Sequence, residues 1–153
     1  RGILTDVSHL NDAGFWDVVH TSSLPPIATH SNLRWLCDVS RNLTRDMAKA
    51  IIERRGFIGM NFYSGFLEKN ENASIDDVVR HIDALMEMGG EDVVGFGSDF
   101  DGISVWPENL ANPADFPNLI EALRRHGYAE AQIEKIACKN FWRVLKEAEA
   151  SRR

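Results

Sequence analysis

Two histidines, His9 and His30, stand 21 residues apart, each at the end of a short apolar run. Imidazoles on successive strand ends of a parallel sheet can face a common ion. Zinc accepts histidine nitrogen, and hydrolytic sites keep one position open for water. Taken singly, each ring could equally be a capping or surface group. Asp99 and Asp101 lie in the stretch GFGSDFDG, directly after the apolar pair Val93-Val94. A carboxylate at the mouth of a buried strand can be a metal ligand, a helix cap or a general base that shuttles the protons of an activated water. Asp101-Gly102 also fits a plain turn. Asp6, inside an apolar run, either bonds to a neighbouring loop or orients a ligand histidine. Arg41 is either a solvated loop residue or a two-pronged grip on a substrate carboxylate. Asn61 either hydrogen-bonds substrate or satisfies loop backbone. His20, His81 and His126 lie in or beside helical patterns and are expected to be surface or helix-end residues. Trp35, Trp106 and Trp142, with the phenylalanines, are expected to be packing residues.

These residues need elements to hold them. Four short apolar segments, 2–7, 27–30, 57–62 and 92–96, predict strands covered on both faces, because none alternates polar with apolar. Helical periodicity separates them over 11–20, 44–55, 74–88, 116–126 and 130–148. Thr44 and Ser74 are set to cap their helices, Ser74 in a capping box with Asp77, and Val78, Val79, Ile82, Leu85 and Met86 form one stripe. Gly56 and Gly89-Gly90 mark helix ends. The order β-α-β-α-β-α-β-α-α predicts an α/β fold with a parallel sheet. The chemistry-bearing residues fall after the carboxyl end of each strand, as in an α/β-barrel active site, although a doubly wound sheet would also bind there.

Composition narrows the function. The chain has 153 residues, 44% hydrophobic and 26% charged, as in an ordinary soluble domain. A net charge of −6 speaks against a nucleic-acid partner. The absence of an apolar run of about 20 residues speaks against a membrane span. Cys37 and Cys138 form no C-x-x-C pair and are expected to be free thiols in a reducing, cytoplasmic compartment. No Walker loop is present, and GFGSDFDG does not match the dinucleotide G-x-G-x-x-G.

The motifs DVSHL, ATHSN, SRNLT, GMNFYSGFL, VGFGSDFDG and the tail LIEALRRHGYAEAQIEKIACKNFWRVL occur in this order. Together they closely resemble the carboxy-terminal half of the renal or membrane dipeptidase family of zinc metallopeptidases, over essentially the whole chain. The resemblance implies about four βα units of a TIM-like (β/α)8 barrel, residues 1–153 forming a single segment whose amino-terminal partner half is absent. It implies hydrolysis of dipeptides by metal-activated water, with two zinc ions in the complete site and at most one partial site here. By match, His9 and His30 would be metal ligands, Arg41 would bind the substrate's terminal carboxylate, and Asp99 would handle protons beside the metals. Val39 stands where many bacterial relatives carry histidine, and Cys138 where glycine is common. The family's first His-x-Asp pair and bridging glutamate match no segment of the chain. The expectation is therefore a fragment or one piece of a split enzyme, completed by the missing half or by a second copy as a homo-oligomer. Two alternatives stand beside it. One is an inactive half-barrel module, and the other is a barrel amidohydrolase that opens lactams or cyclic amides.

Overall fold

The computed structural model describes residues 2–151. Helix α1 (Asp12–Thr21) starts where the Asn11 side chain accepts the Gly14 N–H at 2.8 Å. Strand β1 (Ile27–Ala28) follows, then α2 (Arg45–Glu53), capped by Thr44 and burying Met47, Ala48 and Ile51. Strand β2 (Phe57–Asn61) is buried along its whole length. After it come the single turn α3 (Ser64–Leu67) and helix α4 (Ile75–Glu87). The Asp77 carboxylate takes both the N–H and the hydroxyl of Ser74 at the start of α4, and Val78, Val79, Ile82 and Leu85 are fully buried. The helix stops at Gly89, whose φ of 85° only glycine adopts without strain, while Gly90 N–H returns to the Leu85 carbonyl. Strand β3 (Val94–Ser98) leads to a long loop, then α5 (Phe116–Arg125) and α6 (Glu130–Glu134). A π-helical turn (Lys135–Lys139) joins α6 to the last helix, α7 (Asn140–Ala150). The helix predicted over 130–148 is present and continuous, but it carries this π turn in its middle, with Cys138 exposed on it. Among the described residues no helix is long and apolar enough to cross a membrane.

The sheet among the described residues is parallel, with order β1-β2-β3. Three parallel strands in sequential order fit a βα barrel and equally one half of a doubly wound sheet. Residues 2–7, predicted as a strand, make only a single parallel bridge, Asp6 to Ile27. Two rungs form, Ile27 N–H to the Thr5 carbonyl and Val7 N–H to the Ile27 carbonyl. The third rung would carry Thr29 N–H to the Val7 carbonyl. Instead Thr29 N–H donates to Asp6 Oδ1 at 3.1 Å, and the Val7 carbonyl takes Leu10 N–H in a turn. A carboxylate thus replaces a backbone acceptor and the segment leaves the sheet, with Ile3 70% exposed at its outer end.

Two packing expectations also fail. Trp142 is 58% and Trp106 40% exposed, so neither is core, whereas Trp35 is partly buried beneath Arg45. The core instead takes its aromatic mass from Phe15 and Phe62, with Phe62 edge-on to Phe96, Phe100 and Phe116.

Candidate metal and substrate site

Every strand of the sheet delivers a polar side chain at its carboxyl end. The turn after Val7 presents His9, and the end of β1 presents His30. Their Nε2 atoms face each other at 2.9 Å, with ring centroids 4.9 Å apart. His30 Nδ1 lies 2.7 Å from the Thr29 hydroxyl, which donates in turn to Asp6 Oδ2 at 2.6 Å. Burial lowers the His30 pKa below its ordinary value, and the Arg41 charge adds to this against the opposing pull of Asp99. The ring is therefore held neutral, the form in which imidazole binds a cation. Burial works to raise the Asp6 pKa, but bonds from the Thr29 hydroxyl, Thr29 N–H and Ser8 N–H outweigh it and leave the carboxyl below the usual range.

Strand β2 ends at Asn61, which is fully buried. Its Nδ2 donates to Asp99 Oδ2 at 2.9 Å, and its Oδ1 accepts Tyr63 N–H. Behind it, Asn32 forms a closed pair with the Asn61 backbone, donating to its carbonyl and accepting its N–H, both at 2.9 Å. The register slips between Met60 and Asn61, so Asn61 pairs with Ser98. Beyond that irregularity Ser98 and Asp99 take φ values of 43° and 70°. Two consecutive non-glycine residues in the left-handed region are strained, and such strain collects at functional sites. Gly102 closes the turn through its N–H to the Asp99 carbonyl; a β-carbon there would lie 2.3 Å from Asp99 Oδ1. Asp101-Gly102 is therefore a turn that also makes room for the Asp99 carboxylate.

Arg41 lies half-buried over this end of the sheet. Its Nη1 donates to Ser31 Oγ at 3.0 Å and its Nη2 to the His30 carbonyl at 3.1 Å, with the guanidinium 5.8 Å above the Phe66 ring. Burial lowers its pKa, opposed by Asp99 and Asp6. His9, Arg41, Tyr63, Phe66, Asp99 and Ile103 help line one cleft of about 480 Å³. The volume suits a small-molecule ligand.

The five residues singled out from the sequence thus gather at one end of the sheet: His9 against His30, Asn61 against Asp99, and Arg41 over the His30 backbone. Sequence reasoning missed Thr29, Ser31 and Asn32, which stand beside or between the motif residues and hold them. It also missed Gly59. A β-carbon at Gly59 would lie 2.2 Å from the Thr29 carbonyl oxygen, and one at Gly97 2.3 Å from the same atom, so both must be glycine for the strands to converge. Gly95 is bare for another reason: its missing side chain makes room for the Phe57 ring and the Ile136 carbonyl. His81, expected at the surface, is fully buried. Its Nδ1 accepts Leu33 N–H and its Nε2 faces the Leu67 carbonyl, both at 3.2 Å, joining two loops of the site from beneath.

The donor chemistry fits a cation in part. Two imidazole nitrogens converge, but among the described residues no group of three or more His, Cys, Asp or Glu side chains is gathered for a metal. Zinc sites need more than two ligands.

The sequence profile described as "Membrane dipeptidase (Peptidase family M19)" matches residues 1–153. The chain is 43% identical over 145 residues to an uncharacterized protein in the pqqA 5' region of Klebsiella pneumoniae, covering 92% of this chain and 53% of that protein. It superposes with a TM-score of 0.91 and 39% identity on a crystal structure of dipeptidase AC, a metallopeptidase of family M19, covering 96% of this chain and 44% of that one. A metallopeptidase of Rhodobacter sphaeroides, crystallised with a phosphinate mimic of the dipeptide L-Ala-D-Ala, matches with the same TM-score and identity, covering 96% of this chain and 43% of that one. The chain therefore spans about half the length of the relatives it matches. With the profile match running from end to end, this chain belongs to the membrane dipeptidase family, peptidase family M19.

Proposed function

We propose that the chain supplies the carboxy-terminal half of a (β/α)8-barrel dipeptidase, including one histidine pair of a zinc site and the groups that grip and protonate the substrate. The observation that carries this is the convergence of His9 Nε2 and His30 Nε2 at the cleft that Asp99 and Arg41 also line. His9 and His30 would hold the metal, with further ligands from the amino-terminal half or from a second copy in a homo-oligomer. When bound, the metal supplies Lewis acidity that polarises the peptide carbonyl and acidifies water.

The chain's own residues do the rest. Asp99 takes the proton of the attacking water and returns it to the leaving amine. Asn61, too deeply buried to touch substrate directly, fixes the Asp99 carboxylate through Oδ2. Ser31 and the His30 carbonyl hold the Arg41 fork in place, and its remaining N–H groups bind the free carboxylate of the substrate. That bond limits substrate length, because a longer peptide has an amide at the same point. The ligand of the Rhodobacter sphaeroides relative, a mimic of L-Ala-D-Ala, supports a dipeptide as substrate. The free thiols of Cys37, buried, and Cys138 suit a reducing cytoplasm.

The test is a hydrolysis panel on the full-length protein: dipeptides, dipeptide amides, lactams and cyclic amides, before and after metal removal. Zinc-restored cleavage of dipeptides with little cleavage of their amides is expected. Preference for lactams or cyclic amides, or no zinc-dependent hydrolysis at all, would overturn the proposal.

A further inference from the structure

We propose that Asp6 and Thr29 form a positioning chain that decides which ring nitrogen of His30 carries its proton, keeping Nε2 free as a donor toward the cleft. The inference rests on the proposed ligand role of His30, but it concerns residues that role leaves unexplained.

The geometry fixes the direction of every hydrogen. An ionised carboxylate only accepts. Asp6 Oδ1 accepts Ser8 N–H at 3.0 Å and Thr29 N–H at 3.1 Å, and Oδ2 accepts the Thr29 hydroxyl at 2.6 Å. The single hydroxyl hydrogen of Thr29 is thereby committed to Asp6. Its oxygen can then act only as an acceptor for its neighbour 2.7 Å away, His30 Nδ1. The proton belongs on Nδ1, and the lone pair on Nε2, the atom that faces His9 Nε2. Ser8 adds a second anchor, because its hydroxyl accepts the His30 backbone N–H at 3.0 Å. The other tautomer would require Thr29 to turn its hydrogen away from Asp6, leaving Oδ2 without its donor. Ligating histidines generally give their second N–H to such a partner, which fixes the ring and raises its basicity.

A purely structural role for Asp6 is the competing explanation, since its carboxylate also replaces a rung of the sheet. Asp6→Asn separates the two. Two backbone N–H groups face Oδ1, so the amide oxygen must stay there and the NH2 must point at Thr29. Thr29 then accepts from residue 6 and turns its hydrogen onto His30 Nδ1, driving the ring proton to Nε2. The rung survives and the tautomer inverts. Thr29→Val deletes the link at nearly constant shape, and Thr29→Ser restores it.

The experiment uses the full-length protein, metal-free, with ring-nitrogen-labelled histidine, read by NMR at mildly alkaline pH and followed by zinc(II) titration. The parent and Thr29→Ser should show His30 protonated on Nδ1, and Asp6→Asn should show it protonated on Nε2. Zinc affinity should fall about 10–100-fold in Asp6→Asn and Thr29→Val and stay within about 3-fold of the parent in Thr29→Ser. An Asp6→Asn protein with the parent's tautomer and the parent's zinc affinity overturns the proposal. Should Asp6→Asn fail to fold, unequal zinc affinity of the Thr29→Val and Thr29→Ser pair supports it and equal affinity overturns it. A parent that binds no zinc would defeat the proposed function, while the tautomer readout would still decide this inference.

Discussion

Arg41 and Arg143 sit at opposite ends of the same strands and are used in opposite ways. At the amino-terminal end, Arg143 Nη1 donates to the Arg55 carbonyl and Glu147, and its Nη2 to the Gly56 and Asp92 carbonyls. Arg54 does similar work, holding the carbonyls of Val19, Ser22 and Leu24. Both guanidiniums tie together chain segments about to enter the sheet, next to the apolar contact of Ile27, Phe57 and Val144. At the carboxyl end, Arg41 is anchored through one bond from each Nη and faces a cleft. One end spends its donors on closing backbone; the other holds some in reserve. Left-handed backbone occurs at both ends, singly at the entry, where Arg55 has a φ of 54°, and as the consecutive pair Ser98-Asp99 at the exit. Backbone closure by arginine is concentrated at one end of the sheet, and the cleft, with the Arg41 donors and the Ser98-Asp99 pair beside it, lies at the other.

Substitutions should sort along this division. In the full-length protein, Asp99→Asn is expected to lower kcat about 1000-fold while leaving bound metal unchanged, since a general acid–base group contributes about 10²–10⁴. Steady-state kinetics with metal analysis checks this; parent-like turnover would remove Asp99 from the mechanism.

The next effect is one of pH, and it strikes the site end from below. Burial pushes the His81 pKa from 6.5 down to about 4, with Arg80 adding to the effect and the Leu67 carbonyl opposing it. The folded protein keeps this ring neutral, while the unfolded chain protonates it below about 6.5. Stability is therefore complete above pH 6.5 and falls as the pH drops toward 4, by about 3 kcal/mol from this group. Urea unfolding across that window should show a slope that His81→Gln flattens.

Arg143→Met should lower unfolding free energy by about 2 kcal/mol, because it keeps the apolar stem but strips three carbonyls of their donor. Its KM should not move; a shift in KM with unchanged stability would contradict the division between the two ends. Arg41→Ala should do the reverse, raising KM for dipeptides about 20-fold through loss of a charge-assisted bond, with kcat and melting temperature near the parent's. A dipeptide amide, lacking the carboxylate, should be indifferent to the Arg41 change.

Much of this was legible from the residues. Strand and helix order followed from apolar run lengths and capping residues; His9, His30, Asn61 and Asp99 each stood where a strand was expected to end, and Arg41 in the loop before the Thr44 cap. What stayed hidden depends on contacts between distant segments. His81 looks like any helical histidine until Leu33 and Leu67 are seen to meet on either side of it. Asn61 could be placed at a strand end, but its aim at Asp99 depends on a register slip that no local pattern records. The missing rung at Thr29 escaped because strand patterns count apolar residues and take no account of a carboxylate standing in for a carbonyl. The exposed rings of Trp106 and Trp142 escaped because large aromatic residues are assigned to cores by default.

The backward twist at positions 98 and 99 reaches beyond this molecule. Because so few amino acids tolerate that conformation, drift at position 99 is channelled toward asparagine, aspartate and glycine, whatever the chemistry. Of these only aspartate can accept and release a proton. On the proposed proton role of Asp99, a descendant that had lost that role while keeping its shape would be expected to show asparagine or glycine there, making a single codon a readable record of the change.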